Sequence, residues 1–191
     1  MSTGRPERTL RIIAGQWRGR KFRFPPGDIR PTPDRVRETL FNWLQPHIEG
    51  AQCLDLFAGS GALGLEALSR GAAAAVFVEQ QREAASAIEK LLGEFRAIGG
   101  KVFCTQAPRY LAAAEPHGFD IVFLDPPFGA GALAATAAAL EPGWLAPKAR
   151  IYIERAKREA LPPLPALWRE LRAGTAGEVG YHLFERGVTT A

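Results

Sequence analysis

The chain has 191 residues, 47% of them hydrophobic, with 24 basic and 20 acidic side chains, enough for one domain with a substantial core. No apolar run approaches the roughly 20 residues that cross a bilayer, and the first seven residues carry no secretion signal. Two widely spaced cysteines, Cys53 and Cys104, make neither a disulfide frame nor a metal site, so secreted, membrane-spanning and zinc-module classes drop out and a cytoplasmic protein with two buried free thiols is expected.

Residues 1–37 hold ten basic side chains against three acidic ones, and the rest of the chain is net acidic. Nine of the ten are arginine, whose planar fork pairs with phosphate, so this end attracts polyanions. Leu10–Ala14 and Arg20–Phe24 flank the glycine-bounded segment Gly15-Gln16-Trp17-Arg18-Gly19 and predict a β-hairpin. Phe22 and Phe24 alternate with Lys21 and Arg23, which turns the rings inward and the charges outward. Arg11, Arg18, Arg20 and Lys21 are therefore candidates to grip nucleic-acid phosphates. Pro25-Pro26-Gly27 breaks the chain and divides a basic extension, residues 1–30, from a main domain, residues 31–191.

A helix is predicted from Thr32 as N-cap with Pro33 in its first turn. Val36, Leu40, Trp43 and Leu44 share its apolar face, Arg35, Glu38 and Asn42 the polar one, and Pro46 stops it. Strands and helices then alternate: strand Cys53–Phe57, helix to about Ser69, strand Ala74–Val78, helix Gln81–Ile98, strand Val102–Thr105, helix Arg109–Ala114, strand Phe119–Leu124, helix Leu133–Leu140 and strand Arg150–Glu154. Near-continuous apolar strands between helices mean a parallel sheet covered on both faces. Trp168–Arg172 and Tyr181–Phe184 break the alternation and add a terminal antiparallel hairpin. The fold class is α/β, doubly wound.

Open α/β sheets bind ligands at the carboxyl ends of their strands. The first strand of the main domain runs into Asp55-Leu56-Phe57-Ala58-Gly59-Ser60-Gly61-Ala62-Leu63-Gly64, which satisfies G-x-G-x-x-G. Glycines there let the backbone turn tightly and approach a ligand, and the next helix offers free amides. Glu79 ends the following strand, where a carboxylate accepts ribose hydroxyls. Asp55 faces the same turn; it repels a pyrophosphate and suits an ammonium. S-adenosylmethionine carries an ammonium, a ribose and no phosphate.

The strand Phe119–Leu124 leads into Asp125-Pro126-Pro127-Phe128. Consecutive prolines donate no hydrogen bonds and hold φ near about −65°, so the turn is rigid and rich in acceptors. Asp125 and the Pro126 carbonyl can accept the two hydrogens of a planar exocyclic amine, and Phe128 can stack on the attached ring. These parts leave alternatives open. The proline turn equally allows adenine N6 in DNA or a protein glutamine, the glycine pattern alone allows a nicotinamide cofactor, and the basic end alone allows a non-catalytic RNA-binding module.

Four stretches, Arg11-Ile12-Ile13-Ala14-Gly15-Gln16-Trp17-Arg18-Gly19-Arg20, Arg30-Pro31-Thr32 through Asn42, Phe57–Gly71 and Asp125–Phe128, resemble the RsmD-type 16S ribosomal RNA guanine-N2-methyltransferases. The resemblance runs from Arg11 to about Glu185. It implies a Rossmann-like class I methyltransferase sheet, S-adenosylmethionine as donor, and guanine 966 N2 as acceptor in 16S rRNA within the small ribosomal subunit or its assembly intermediate. The chemistry requires no metal, the chain holds no run that would place it in a membrane, and a monomer is expected. Asp55, Phe57, Gly59, Ser60, Gly61, Glu79, Gln106 and Ala107 would hold the cofactor; Asp125, Pro126 and Phe128 would be catalytic; Arg35, Arg37, Glu38 and Asn42 would close over the site. Two positions depart from the family pattern. Gln81 stands where an acid is frequent, and Gln106 where Asn or Asp commonly meets the adenine.

Overall fold

The computed structural model describes residues 8–25, 31–127 and 131–188. An antiparallel hairpin, β1 (Arg8–Arg11) and β2 (Lys21–Phe24), precedes α1 (Asp34–Leu44) and a short 3-10 turn. Alternation follows as β3 (Gln52–Asp55), α2 (Ala62–Ser69), β4 (Ala74–Glu79), α3 (Arg82–Glu94), β5 (Gly100–Cys104), α4 (Ala107–Ala113), β6 (Phe119–Leu124), α5 (Ala132–Leu140) and β7 (Leu145–Ala156). The chain closes on β8 (Trp168–Ala176) and β9 (Val179–Arg186). The large sheet has the order β5-β4-β3-β6-β7-β9-β8, parallel from β5 to β7 and antiparallel where β9 joins.

Both faces of this sheet are apolar, and successive residues of one strand serve opposite cores. Cys53, Ile121 and Phe123 pack with residues of α1, α2 and α3, while Leu54, Val122 and Leu124 pack with those of α4 and α5. That division explains why β6 reads as an unbroken apolar run. β7 begins earlier than the sequence suggests. Between Phe119 and Ile121 the β6 partner jumps from Leu145 to Arg150, so Pro147, without an amide, and Lys148, at φ 61°, bulge out of the ladder.

Three expectations change. Thr32 does not cap α1: Pro33 holds that position with no side-chain cap bond, and the Thr32 hydroxyl donates to Glu154. Cys104 is exposed, because β5 is the edge of the sheet and none of its residues is fully buried. Arg37 is fully buried, on the apolar side of α1 beside Val36 and Phe41, so it is removed from the surface where RNA would bind.

The reason for that burial is the docking of the hairpin. Glu66 on α2, itself fully enclosed, accepts the amides of Ile13 and Ala14 at 2.8 and 3.0 Å and the Arg70 guanidinium at 2.7 Å. Arg37 lies 3.7 Å from Glu66, bonds Asp34 at 2.6 Å, and donates to the Arg11 carbonyl at 3.0 Å. Gly15, at φ 85°, sits where a Cβ would overlap the Ser69 carbonyl, so only glycine permits this approach. Ser69 Oγ then donates to the Ala14 carbonyl and accepts from the Trp17 amide. Ile12, Trp17 and Phe22 belong to the same core as α2 and α3. Phe24 is buried as well, so the aromatics serve packing, as their alternation with charges suggests.

Glu66→Ala is expected to cost about 3–5 kcal/mol, because it leaves the Arg70 guanidinium and two amides without their acceptor and removes the counter-charge beside the buried Arg37. Urea unfolding followed by tryptophan fluorescence measures it; an unchanged midpoint would show the hub to be dispensable.

Candidate active site

The strand order reverses at β3, whose neighbours β4 and β6 lie on either side of it, and a crevice opens there at the carboxyl ends. The glycine turn lies in that crevice. Gly59 and Gly61 have φ of 52° and 76°, the left-handed region that glycine occupies without penalty. The Ala58 amide bonds the Val78 carbonyl, and the Gly61 amide turns back to Ala58. Gly64, the third glycine of the pattern, faces the Phe77 ring so closely that a Cβ would lie 2.2 Å from it. It serves helix-to-sheet packing rather than ligand contact.

Glu79 is buried and holds the turn in place. Its Oε2 accepts the Gly59 amide at 2.8 Å and its Oε1 the Gln81 amide at 2.7 Å, and each oxygen retains a second lone pair for a hydroxyl. Gln81 thus contributes a backbone amide where the family pattern frequently has an acid. Asp55 accepts the Gly64 amide at 3.3 Å. Burial first, then the carboxylate of Glu79 and that of Glu154 farther off, push its carboxyl up to about 7 against the opposing amide bonds. Ser60 and Ala107 are buried, Phe57 is half-buried, and Gln106 is exposed at the start of α4.

Asp55 pairs with Phe123 across the β3–β6 ladder, so Asp125 lies two residues farther along on the same face. Asp125 is half-buried and Pro126 is buried. Desolvation, then the nearby Glu154 and Asp55, hold the Asp125 carboxyl well above the usual carboxylate range. Phe128, the expected stacking ring, lies outside the described residues. The two turns read separately in the sequence are thus neighbours, joined by strand pairing.

Glu154 was not among the expected site residues. It ends the Arg150–Glu154 run, and an acid closing an otherwise apolar strand is the signal that could have found it. With it, β4, β3, β6 and β7, four consecutive strands of the sheet, each present an acid at the carboxyl end: Glu79, Asp55, Asp125 and Glu154. Among the described residues no lysine or arginine forms an ion pair with any of the four. Such a crevice repels a pyrophosphate and accommodates a cation. The residues present therefore fit a ligand with an ammonium, a positive centre and ribose hydroxyls.

Outside the crevice, Arg18, Lys21, Arg35 and Asn42 are exposed. Arg11 is exposed and ion-paired with Asp34 at 2.9 Å. Arg20 is exposed with its guanidinium 4.1 Å from the centre of the Phe95 ring. Of the seven expected substrate contacts, Arg37 alone is enclosed. Among the described residues no helix is long and apolar enough to cross a membrane.

The family described as "Conserved hypothetical protein 95" matches residues 10–185. The chain is 52% identical to "Ribosomal RNA small subunit methyltransferase D" of Escherichia coli K12 over 93% of its length and 90% of that protein's. It is 44% identical to the protein of the same name from Haemophilus influenzae, over 92% of this chain and 93% of that one. Among solved structures it is similar to Escherichia coli yhhF, which its name places provisionally among the methyltransferases, with a TM-score of 0.87, 50% identity and coverage of 94% and 98%. In fold alone it also resembles a Thermus thermophilus 16S rRNA N2 G1207 methyltransferase bound to AdoMet and guanosine. That likeness has a TM-score of 0.64, 22% identity, and coverage of 95% of this chain and 50% of that one.

Proposed function

Because the chain belongs to the RsmD family, described as "Conserved hypothetical protein 95", we propose that it transfers a methyl group from S-adenosylmethionine to the N2 amine of guanine 966 in 16S rRNA, in the cytoplasm, on the small ribosomal subunit or its assembly intermediate. The observation that carries the cofactor is the row of four carboxyl groups at neighbouring strand ends, with no cation paired to them among the described residues. It favours a cationic donor and disfavours the nicotinamide dinucleotide that the glycine pattern alone would allow. S-adenosylmethionine, when bound, supplies a methyl already activated by the positive sulfur.

The protein's own residues bind and align. Asp55 would meet the ammonium of the donor, Glu79 its ribose hydroxyls, and the backbone near Gln106 and Ala107 its adenine, with the Gly59–Gly61 turn bringing the chain close. Asp125 and the Pro126 carbonyl would accept the two N–H bonds of the guanine amine. A guanine amine is a poor nucleophile because its lone pair is spread into the ring. Holding both hydrogens on acceptors favours a more pyramidal nitrogen with its lone pair directed at the methyl carbon. Phe128 would stack on the base, which must leave its helix stack to enter. Arg18, Arg20, Lys21 and Arg35 present exposed positive charge for the surrounding phosphates.

The test is incubation with methyl-labelled donor and small subunits from cells lacking the enzyme, followed by nucleoside mapping. Label in N2-methylguanosine at position 966 is expected. Label in N6-methyladenosine or in a ribosomal protein would replace the acceptor, and RNA binding without transfer would reduce the chain to a binding module.

A further inference from the structure

Glu154 is held with more care than a sheet-end acid needs. Thr32 Oγ1, in the segment leading into α1 and 122 positions away, donates to Glu154 Oε1 at 2.5 Å. Tyr152 Oη, two positions back on β7, donates to the same oxygen at 2.9 Å. Glu154 is only 3% exposed. Two hydroxyl donors on one carboxyl oxygen favour the ionised form. Leu124 pairs with Ile153, so the next positions along the two strands are Asp125 and Glu154.

We propose that Glu154 is a positioning residue for the transfer, its carboxylate set beside Asp125 so that Asp125 takes up the proton the methylated amine sheds. The inference rests on the guanine-N2 reading given above. In the step, the nitrogen–carbon bond forms while the carbon–sulfur bond breaks with its electron pair left on sulfur. The nitrogen, then cationic, gives one proton to the Asp125 carboxylate and becomes a neutral methylamino group. A negative neighbour strengthens Asp125 as the acceptor. Burial raises the Glu154 carboxyl and the Thr32 and Tyr152 hydroxyls oppose that rise, whereas among the described residues no hydrogen bond opposes the rise at Asp125, so of the two the proton is favoured on Asp125. Among the described residues the groups facing Glu154 are Asp125 from β6, Asp55 from β3, Tyr152 on its own strand, Tyr181 opposite it on β9, and Thr32, none of them a cation. Thr32 also ties this carboxyl to the segment that follows the basic hairpin, which gives Thr32 a purpose that capping α1 did not.

The test compares single-turnover methylation of small subunits by wild type, Glu154→Gln and Thr32→Val across about pH 5 to 8. The acid limb of the rate profile is expected to move to lower pH by about one unit in Glu154→Gln. It moves in the same direction, by less, in Thr32→Val, with little change in KM for the donor. A limb at one pH in all three, whatever their absolute rates, overturns the proposal, since an acid that only braces the fold lowers the rate without moving the limb. If Glu154→Gln fails to fold by circular dichroism, Thr32→Val, which keeps the carboxylate, decides alone. A wild-type enzyme that makes no N2-methylguanosine strikes the parent reading instead, and shows it before any variant is compared.

Discussion

Asp125→Ala is expected to slow methyl transfer at saturating donor by about a hundredfold or more while donor affinity stays within about threefold. The substitution removes one of the two acceptors proposed to orient the amine, and leaves the Gly59–Gly61 turn and its Glu79 brace untouched. A second readout separates this from unfolding. Burial, then Glu154 and Asp55, raise the Asp125 carboxyl in the folded chain, so the folded state holds its proton to higher pH than the unfolded one. The sign follows: stability falls as pH rises through that range, and the ligand-free Ala variant, freed of that penalty, melts no lower than wild type at about pH 8. Calorimetric titration with the donor, a melting curve and single-turnover rates on small subunits check the three statements. Full-rate transfer by a folded Asp125→Ala protein would remove Asp125 from the reaction.

Asp55→Asn should produce the opposite pattern: weak donor binding in a more stable protein. Asp55 titrates at about 7 in the ligand-free fold against 3.8 in the unfolded chain, mainly because it is buried. Between those values the native state takes up a proton that the unfolded state has lost, so stability declines with rising pH across the window and levels above it. A shift of that size corresponds to roughly 4 kcal/mol at most. Asparagine escapes the penalty, so the ligand-free variant gains stability at about pH 8 and gains nothing at about pH 3. A bound ammonium favours the ionised carboxylate. Wild-type donor affinity should therefore tighten as pH rises towards 7 and flatten beyond it, with the slope much reduced in the variant. The expected loss of affinity at neutral pH is about tenfold or more. Calorimetry at several pH values measures it, and an equal slope in both proteins would show that Asp55 does not meet the charged end of the donor.

Both predictions concern desolvated acids that destabilise the free protein, which is a common feature of sites built for a charged ligand. The hub around Glu66 differs. There each charge has a partner, and the buried network fastens the basic hairpin to the helix that carries the glycine turn.

What the amino-acid sequence determined alone was local. Alternation of Phe22 and Phe24 with charges set the face of β2, unbroken apolar runs set the doubly covered strands, and Gly59, Gly61 and the Asp125-Pro126-Pro127 turn declared themselves through residues with few backbone options. These signals lie within a few positions of one another, where chain geometry dictates the outcome. Strand order decided the rest. Arg37 is expected over the site, but the hairpin and Glu66, from segments on either side of it in the chain, close around it. Cys104 looks buried until β5 proves to be an edge. Glu154 joins Asp125 only because β7 lies beside β6, and Thr32 reaches it from 122 residues away. Periodicity tells which side of an element faces inward, but the identity of the facing group depends on contacts between distant segments, and so do the desolvation and the field that tune a carboxyl.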